Sequence, residues 1–200
     1  MRISILALLL LLGNLASSQG PRANTALQPA VEEEVHWLSF EEAVSRNEKT
    51  PKKILIDIYT KWCGWCKVMD ANTYKNPLIV KYLNENYYSV KLDAEIRDTI
   101  HFTHKGAEAK MESKIFVFRP EMKANELALS LLNGKMGYPS TVFMDENYSL
   151  MTQAIQGYKD APFMEMVLKY FGENTYKTVS WENFQKEFKS QLAPASSSKN

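Results

Sequence analysis

The chain alternates between two hydrophobic periods. In Lys53 to Thr60, Ile54, Ile56 and Ile58 share one face of an extended segment and Leu55, Asp57 and Tyr59 the other, the period of two that marks a strand. Tyr88, Val90 and Leu92 repeat that alternation; Ser140 to Met144 and Leu150 to Ile155 read as further strands, and Val35 to Leu38 as a short one. Between them the period lengthens. Ser39 with Glu42 three residues later makes a capping box ahead of the apolar face Phe40, Ala43 and Val44. Asn76-Pro77 supplies an N-cap and a proline at the first position of a helix to about Asn86. Cys63 to about Asn72 and Asp160 to Phe171 read as helices too, and Ser180 caps a last one carrying Trp181, Phe184 and Phe188. This alternation predicts an α/β domain with a mixed sheet. Residues 94–136 break the count with a hairpin around Lys105-Gly106, an apolar strand Ile115 to Phe118 and a helix near Ala124 to Leu132, and read as an insertion: a lid or partner surface, or a solvated excursion.

The two ends follow other patterns. Met1 and Arg2, an apolar run from Ile3 to Leu12 broken only by Ser4, and small Ala16 and Ser18 before a cut after Ser18 have the layout of a secretory signal peptide over residues 1–18. A helix of that length spans roughly 15 Å, half of a bilayer core. No cysteine lies near the cut to carry a lipoprotein anchor, and no later segment is long and apolar enough to span a membrane. Residues 19–33, with Pro21, Pro29 and the acidic run Glu32 to Glu34, read as a flexible spacer, 34–190 as the folded domain and 191–200 as a disordered polar tail. The expected product is exported, and periplasmic in a bacterial host.

Charge narrows the partners. Lys and Arg number 24 against 23 Asp and Glu, so no bulk charge recruits nucleic acid or an anionic membrane. The two cysteines are too few for a disulfide scaffold and leave one bridge, one redox pair or half a metal site.

Both stand in Trp62-Cys63-Gly64-Trp65-Cys66, directly after a predicted strand and opening a predicted helix. Residues three apart on a helix share a face, so the sulfurs can meet. The first cysteine sits where unpaired backbone N–H groups and the helix dipole favour an anion, which lowers its pKa. Cys63 is therefore expected to be exposed and to attack, and Cys66, one turn in, to be more buried and to resolve. Half a zinc site uses the same spacing, but the only other soft ligands are His36, His101 and His104, and residues three apart on a strand, such as His101 and His104, point to opposite faces. A static bridge is the remaining alternative.

The segment Asp57 to Lys67 resembles the strand, active-site turn and helix start of the thioredoxin superfamily, Tyr138-Pro139-Ser140-Thr141 resembles its cis-proline loop, and Gly157 its late glycine. The stretch from Cys66 through Asn76-Pro77 is similar to the C-terminal domain of the bacterial membrane thiol-disulfide interchange protein. The resemblance covers about residues 35–172. It implies a three-layer α/β/α fold around a mixed sheet, with the insertion before the cis-proline strand and an extra C-terminal helix. It also implies a cis Tyr138–Pro139 bond facing Cys63, with the Tyr138 backbone presented to an extended substrate segment and the crowded site closed to metal. Asp57 becomes the buried acid that takes a proton from Cys66, Lys91 its partner, and Trp62 the aromatic shield beside the sulfurs, with Gly64, Trp65 and Tyr138 lining the substrate side. Two departures stand out: Trp65 where thioredoxin has proline, and Tyr138 where it has a smaller aliphatic residue.

The function expected from these features is an exported thiol-disulfide oxidoreductase that reduces protein disulfides, without cofactor or metal, fed by a membrane or soluble thiol donor. An oxidase or isomerase would share the site, and a chaperone-like binding module would share the fold. Asn147-Tyr148-Ser149 is a glycosylation sequon, relevant only in a eukaryotic secretory host.

Overall fold

A computed structural model describes residues 33–106 and 110–192. The expected signal peptide, nearly all of the spacer and most of the tail lie outside the described residues. In chain order the elements are β1 (Trp37–Leu38), α1 (Phe40–Asn47), β2 (Lys53–Tyr59), α2 (Gly64–Asn72), α3 (Pro77–Asn86), β3 (Tyr87–Asp93), β4 (Ile100–Lys105), β5 (Met111–Phe116), β6 (Phe118–Arg119), β7 (Ala124–Asn125), α4 (Glu126–Leu131), β8 (Ser140–Met144), β9 (Ile155–Gln156), α5 (Ala161–Gly172) and α6 (Trp181–Glu187), with a 3-10 turn at Thr175–Lys177.

Local chemistry accounts for most of these boundaries. Ser39 and Glu42 form the expected reciprocal capping box at α1. Asn76 caps α3 through its side chain, with Pro77 inside the first turn, and Asp160 and Ser180 do the same work for α5 and α6.

The main sheet runs β1-β3-β2-β8-β9. β2 pairs in parallel with β3 and antiparallel with β8, so it is flanked by a strand on each side. Its six residues Lys53 to Ile58 are all buried, as a strand covered on both faces must be. Ile54, Ile56 and Ile58 face one apolar layer with Phe40, Val44, Val90 and Val142. Leu55 faces the other, with Met69, Leu83, Phe143, Met164 and Leu168. Each such side chain contributes roughly 1.5–3 kcal/mol on burial. The result is the α/β/α sandwich of a thioredoxin-like fold, with α1 and α4 on one face and α2, α3 and α5 on the other.

Two expectations change. Leu150 to Ile155 does not form one strand. Leu150 makes a single bridge to Met144, the chain bends over residues 151–153, and only Ile155–Gln156 pairs with β8. The apolar residues there lack alternation; the turn through Tyr148 sets Leu150 opposite Met144, and the bend over residues 151–153 shifts the register before Ile155 pairs with Thr141. Residues 94–136 are neither a lid nor a solvated excursion as a whole. Leu127, Ala128, Leu131 and Leu132, in and just after α4, are buried against the β2 isoleucines, so this helix is a layer of the sandwich. Even the β4–β5 hairpin anchors itself through buried Ile100 and Phe116. The hairpin splits the strand–helix alternation in the sequence and hides the helix that belongs to it. Among the described residues no helix is long and apolar enough to cross a membrane.

Candidate active site

β2 delivers its C-terminal end to a tight turn, Thr60 to Trp62, from which α2 starts. Cys63 is the N-cap of that helix, and its sulfur is itself the capping acceptor: the Cys66 backbone N–H lies 3.1 Å from Cys63 Sγ. Cys63 and Cys66 are joined as a disulfide. In the dithiol state the same N–H and the same helix end would face the Cys63 thiolate and stabilise it.

Cys63 is not exposed as expected. It keeps 5% of its surface and Cys66 2%, so the bridged form encloses both sulfurs. What is exposed is the neighbouring indole pair, Trp62 at 67% and Trp65 at 62%. Each rests on a tyrosine. Trp62 meets Tyr138 edge-on at 5.8 Å between ring centres, and Trp65 lies against Tyr158 at 5.7 Å. The Trp62 indole N–H also donates to Glu95 Oε1 at 3.1 Å. Gly64 has open space around it, consistent with a surface at the mouth of the site.

The Tyr138–Pro139 peptide is cis. The Trp62–Tyr138 contact brings this loop beside the cysteine turn, and the Pro139 carbonyl accepts from the Gly157 N–H at 2.8 Å, which ties the two loops of this end together. Gly157 takes φ 80°, a conformation costly for any residue with a side chain.

Beneath the turn lies a buried charge cluster. Asp57 is 1% exposed and points, like Leu55, to the face that α2 covers. The Lys91 ammonium is 2.5 Å from Asp57 Oδ2 and also pairs with Asp70 Oδ1 on α2. Lys91 is opposite Asp57 in the β2–β3 register, which explains the meeting of residues 34 apart. The rings of Trp37, Tyr59 and Tyr74 stand 4.9, 5.2 and 5.4 Å from the same ammonium, within cation–π range. Burial pushes the Asp57 carboxyl up to about 6, against the opposing pull of Lys91. Burial also works against the Lys91 charge, but Asp57 and Asp70 outweigh it and hold the ammonium above its usual range.

Sequence reasoning missed Asp70, Glu95, Tyr74, Trp37, Tyr59 and Tyr158. Only Asp70 carried a local signal: it lies four residues after Cys66, on the same stretch of helix surface. The histidines stay apart from the cysteines. His101 is exposed on one face of β4, and His104 stacks on Phe102 at 4.3 Å on the other. Among the described residues no group of three or more His, Cys, Asp or Glu is placed to hold a metal ion.

Residues 19–114 match the family model Thioredox_DsbH, described as a protein of unknown function, DUF255. Over 67 residues, a third of this chain, the sequence is 30% identical to "Uncharacterized protein B0495.5" of Caenorhabditis elegans and 33% identical to "Spermatogenesis-associated protein 20" of Rattus norvegicus. The matched stretch is 9% and 8% of those proteins, so the chain spans a small part of the curated relatives it matches. Among solved structures it is similar to "DsbH Oxidoreductase" (16% identity, TM-score 0.43, 70% of this chain and 87% of the other). It is also similar to a thioredoxin-fold protein of Helicobacter pylori (15%, 0.48, 73% and 91%) and to the oxidised C-terminal domain of Neisseria meningitidis DsbD (18%, 0.40, 67% and 90%). With its β1-β3-β2-β8-β9 sheet, a Cys-x-x-Cys bridge capping the helix after the central strand and a cis-proline loop beside it, the chain has a thioredoxin-like fold.

Proposed function

We propose that this protein is an exported thiol-disulfide oxidoreductase that reduces disulfides in protein substrates. The observation that carries the reading is the placement of the Cys63 sulfur as the N-cap acceptor of α2, bridged to a Cys66 that is enclosed on the face where Asp57 is buried. In the dithiol state the Cys63 thiolate attacks one sulfur of the substrate disulfide. A Cys63–substrate bond forms and the other substrate sulfur leaves as a thiolate. Cys66 then gives its proton to Asp57 and attacks Cys63 Sγ. The Cys63–Cys66 bond forms, the second substrate thiolate leaves, and two electrons have passed from protein to substrate. Asp57 suits the middle step because burial pushes its carboxyl up to about 6, between an ordinary carboxylate and a thiol. The exposed Trp62 and Trp65 with Tyr138 would receive the substrate segment. No cofactor takes part; the dithiol is restored by a thiol donor, membrane-bound or soluble. Export rests on the N-terminal apolar run.

The same groups run the exchange in either direction, so an oxidase or isomerase is the second reading, and a binding module without turnover the third. Equilibration of the Cys63–Cys66 pair in a defined thiol buffer, with an insulin-reduction assay, separates them. A potential near that of thioredoxin, about −270 mV, with insulin turnover supports reduction; one near about −120 mV, with oxidation of substrate thiols, reverses the direction. Absence of turnover and of a reactive Cys63 thiol leaves only the binding module.

A further inference from the structure

The Asp57 carboxylate is only half used by Lys91. Its Oδ2 receives the ammonium, whereas Oδ1 is buried without a hydrogen-bond partner. Two hydroxyls that thiol-disulfide exchange does not itself require lie next to it. Thr141 stands directly opposite Asp57 in the antiparallel β2–β8 pair, so the two side chains emerge on the same face. Tyr74, just past the end of α2, is buried with its ring 5.4 Å from the Lys91 ammonium. Its phenol is pushed well above the ordinary range by burial and then by the Asp57 charge, with the Thr141 hydroxyl acting in the opposite sense. Thr141 Oγ1 and Tyr74 OH, like Asp57 Oδ1, are buried without a hydrogen-bond partner. Three such atoms on one patch of core, each stranded alone, would carry their full desolvation cost, and hydroxyl hydrogens rotate to suit an acceptor. Phenylalanine and valine would fill the same volume without that cost.

We propose that Tyr74 and Thr141 are positioning residues that form a hydroxyl relay, the Tyr74 O–H donating to Thr141 Oγ1 and the Thr141 O–H donating to Asp57 Oδ1, which holds Asp57 ionised and ready for the Cys66 proton. The use of that proton rests on the oxidoreductase reading; the relay itself is a property of the Asp57 carboxyl. When Asp57 takes up the proton, Oδ1 becomes a donor and the Thr141 hydroxyl turns to accept. The other charged and titratable groups facing Asp57 are Lys91 on β3, Asp70 on α2 and the phenol of Tyr59 on β2, which burial keeps protonated. Both hydroxyls are uncharged and buried without a hydrogen-bond partner, so removing one leaves the charge count intact.

The test is a carboxyl carbon NMR titration of Asp57 in the full oxidised chain, where neither cysteine titrates. A donor to the ionised carboxylate lowers its midpoint, so loss of the donor raises it. Thr141→Val is expected to raise the Asp57 midpoint by about one pH unit, Tyr74→Phe to raise it by less, and Thr141→Ser to leave it in place. The pH profile of insulin reduction should move the same way. Midpoints that stay fixed or fall in Thr141→Val and Tyr74→Phe, whatever happens to their thermal stability, overturn the relay. If Thr141→Val does not fold, the Tyr74→Phe titration decides. Failure of the unmodified chain to reduce insulin sinks the oxidoreductase reading and leaves the Asp57 titration to judge the relay separately.

Discussion

The Lys91 ammonium lies 2.5 Å from Asp57 Oδ2, and the same ammonium bridges to Asp70 on the cysteine-bearing helix. One cation thus ties β2, β3 and α2 together beneath the redox turn. It also counters the burial that drives the Asp57 carboxyl upward. Replacing Lys91 with methionine removes that counter-charge. The pH midpoint of substrate reduction should rise by roughly 1–2 units, with slower turnover at neutral pH. A profile that keeps its midpoint would show that Lys91 does not govern Asp57.

Asp57 itself should trade stability for chemistry. Its folded pKa of about 6 lies above the ordinary 3.8, so the native state holds this proton more tightly than the unfolded chain. The stability this group allows is therefore fully present below about pH 4, declines as pH rises through about 6, and stays lost at neutral pH. Asp57→Asn avoids the decline and leaves Lys91 paired with Asp70. Urea unfolding should find the variant more stable at pH 7, by roughly 3 kcal/mol at most, and little changed at pH 4. Its resolution of mixed disulfides should slow about 100-fold. Equal stability curves at both pH values would contradict a raised Asp57.

The two cysteines should be separable by trapping. Cys66→Ser is expected to accumulate a covalent Cys63–substrate adduct, resolved by added dithiothreitol on a non-reducing gel. Cys63→Ser should form none. The reverse pattern would assign the attack to Cys66, the more deeply enclosed sulfur.

Trp62 and Trp65 are the largest apolar surfaces at the site, and each is held by a tyrosine. Substituting either with alanine should raise KM for an unfolded protein disulfide about three- to ten-fold, the worth of one aromatic contact. A small aliphatic disulfide should be reduced at an unchanged rate. An equal loss for both substrates would place the effect in the redox chemistry instead of in recognition.

The segment 94–136 should behave as two parts. Leu127, 2% exposed in the core, should cost about 2–5 kcal/mol on truncation to alanine. Met111, 60% exposed on the hairpin, should tolerate serine within about 0.5 kcal/mol. Chemical denaturation of the two variants distinguishes a structural layer from a surface excursion.

Much of the fold was legible because its signals are local. A capping box, an Asn-Pro helix start or the Ile54, Ile56, Ile58 alternation needs only neighbours within one helical turn or one pleat, and the structure places all of them as read. The strand expected over Leu150 to Ile155 failed for the complementary reason: pairing depends on a partner edge in register, and the bend over residues 151–153 breaks the register between Leu150 and Ile155.

By itself, the sequence determined an α/β chain with two cysteines one helical turn apart at the end of a buried strand, because spacing and periodicity are properties of adjacent residues. Tertiary structure alone decided that Cys63 is enclosed in the bridged state, that Glu95 anchors Trp62, and that α4 is a layer of the core. It alone placed Asp57, Lys91 and Asp70 in one cluster with Tyr74 and Thr141 beside them. These residues come from four separate segments: the parallel register of β2 with β3 and the antiparallel register of β2 with β8 align three of them, and α2 with its C-terminal end covers them. The charge state of a buried carboxyl depends on what surrounds it in space, and for Asp57 that surrounding exists only once the sheet has formed.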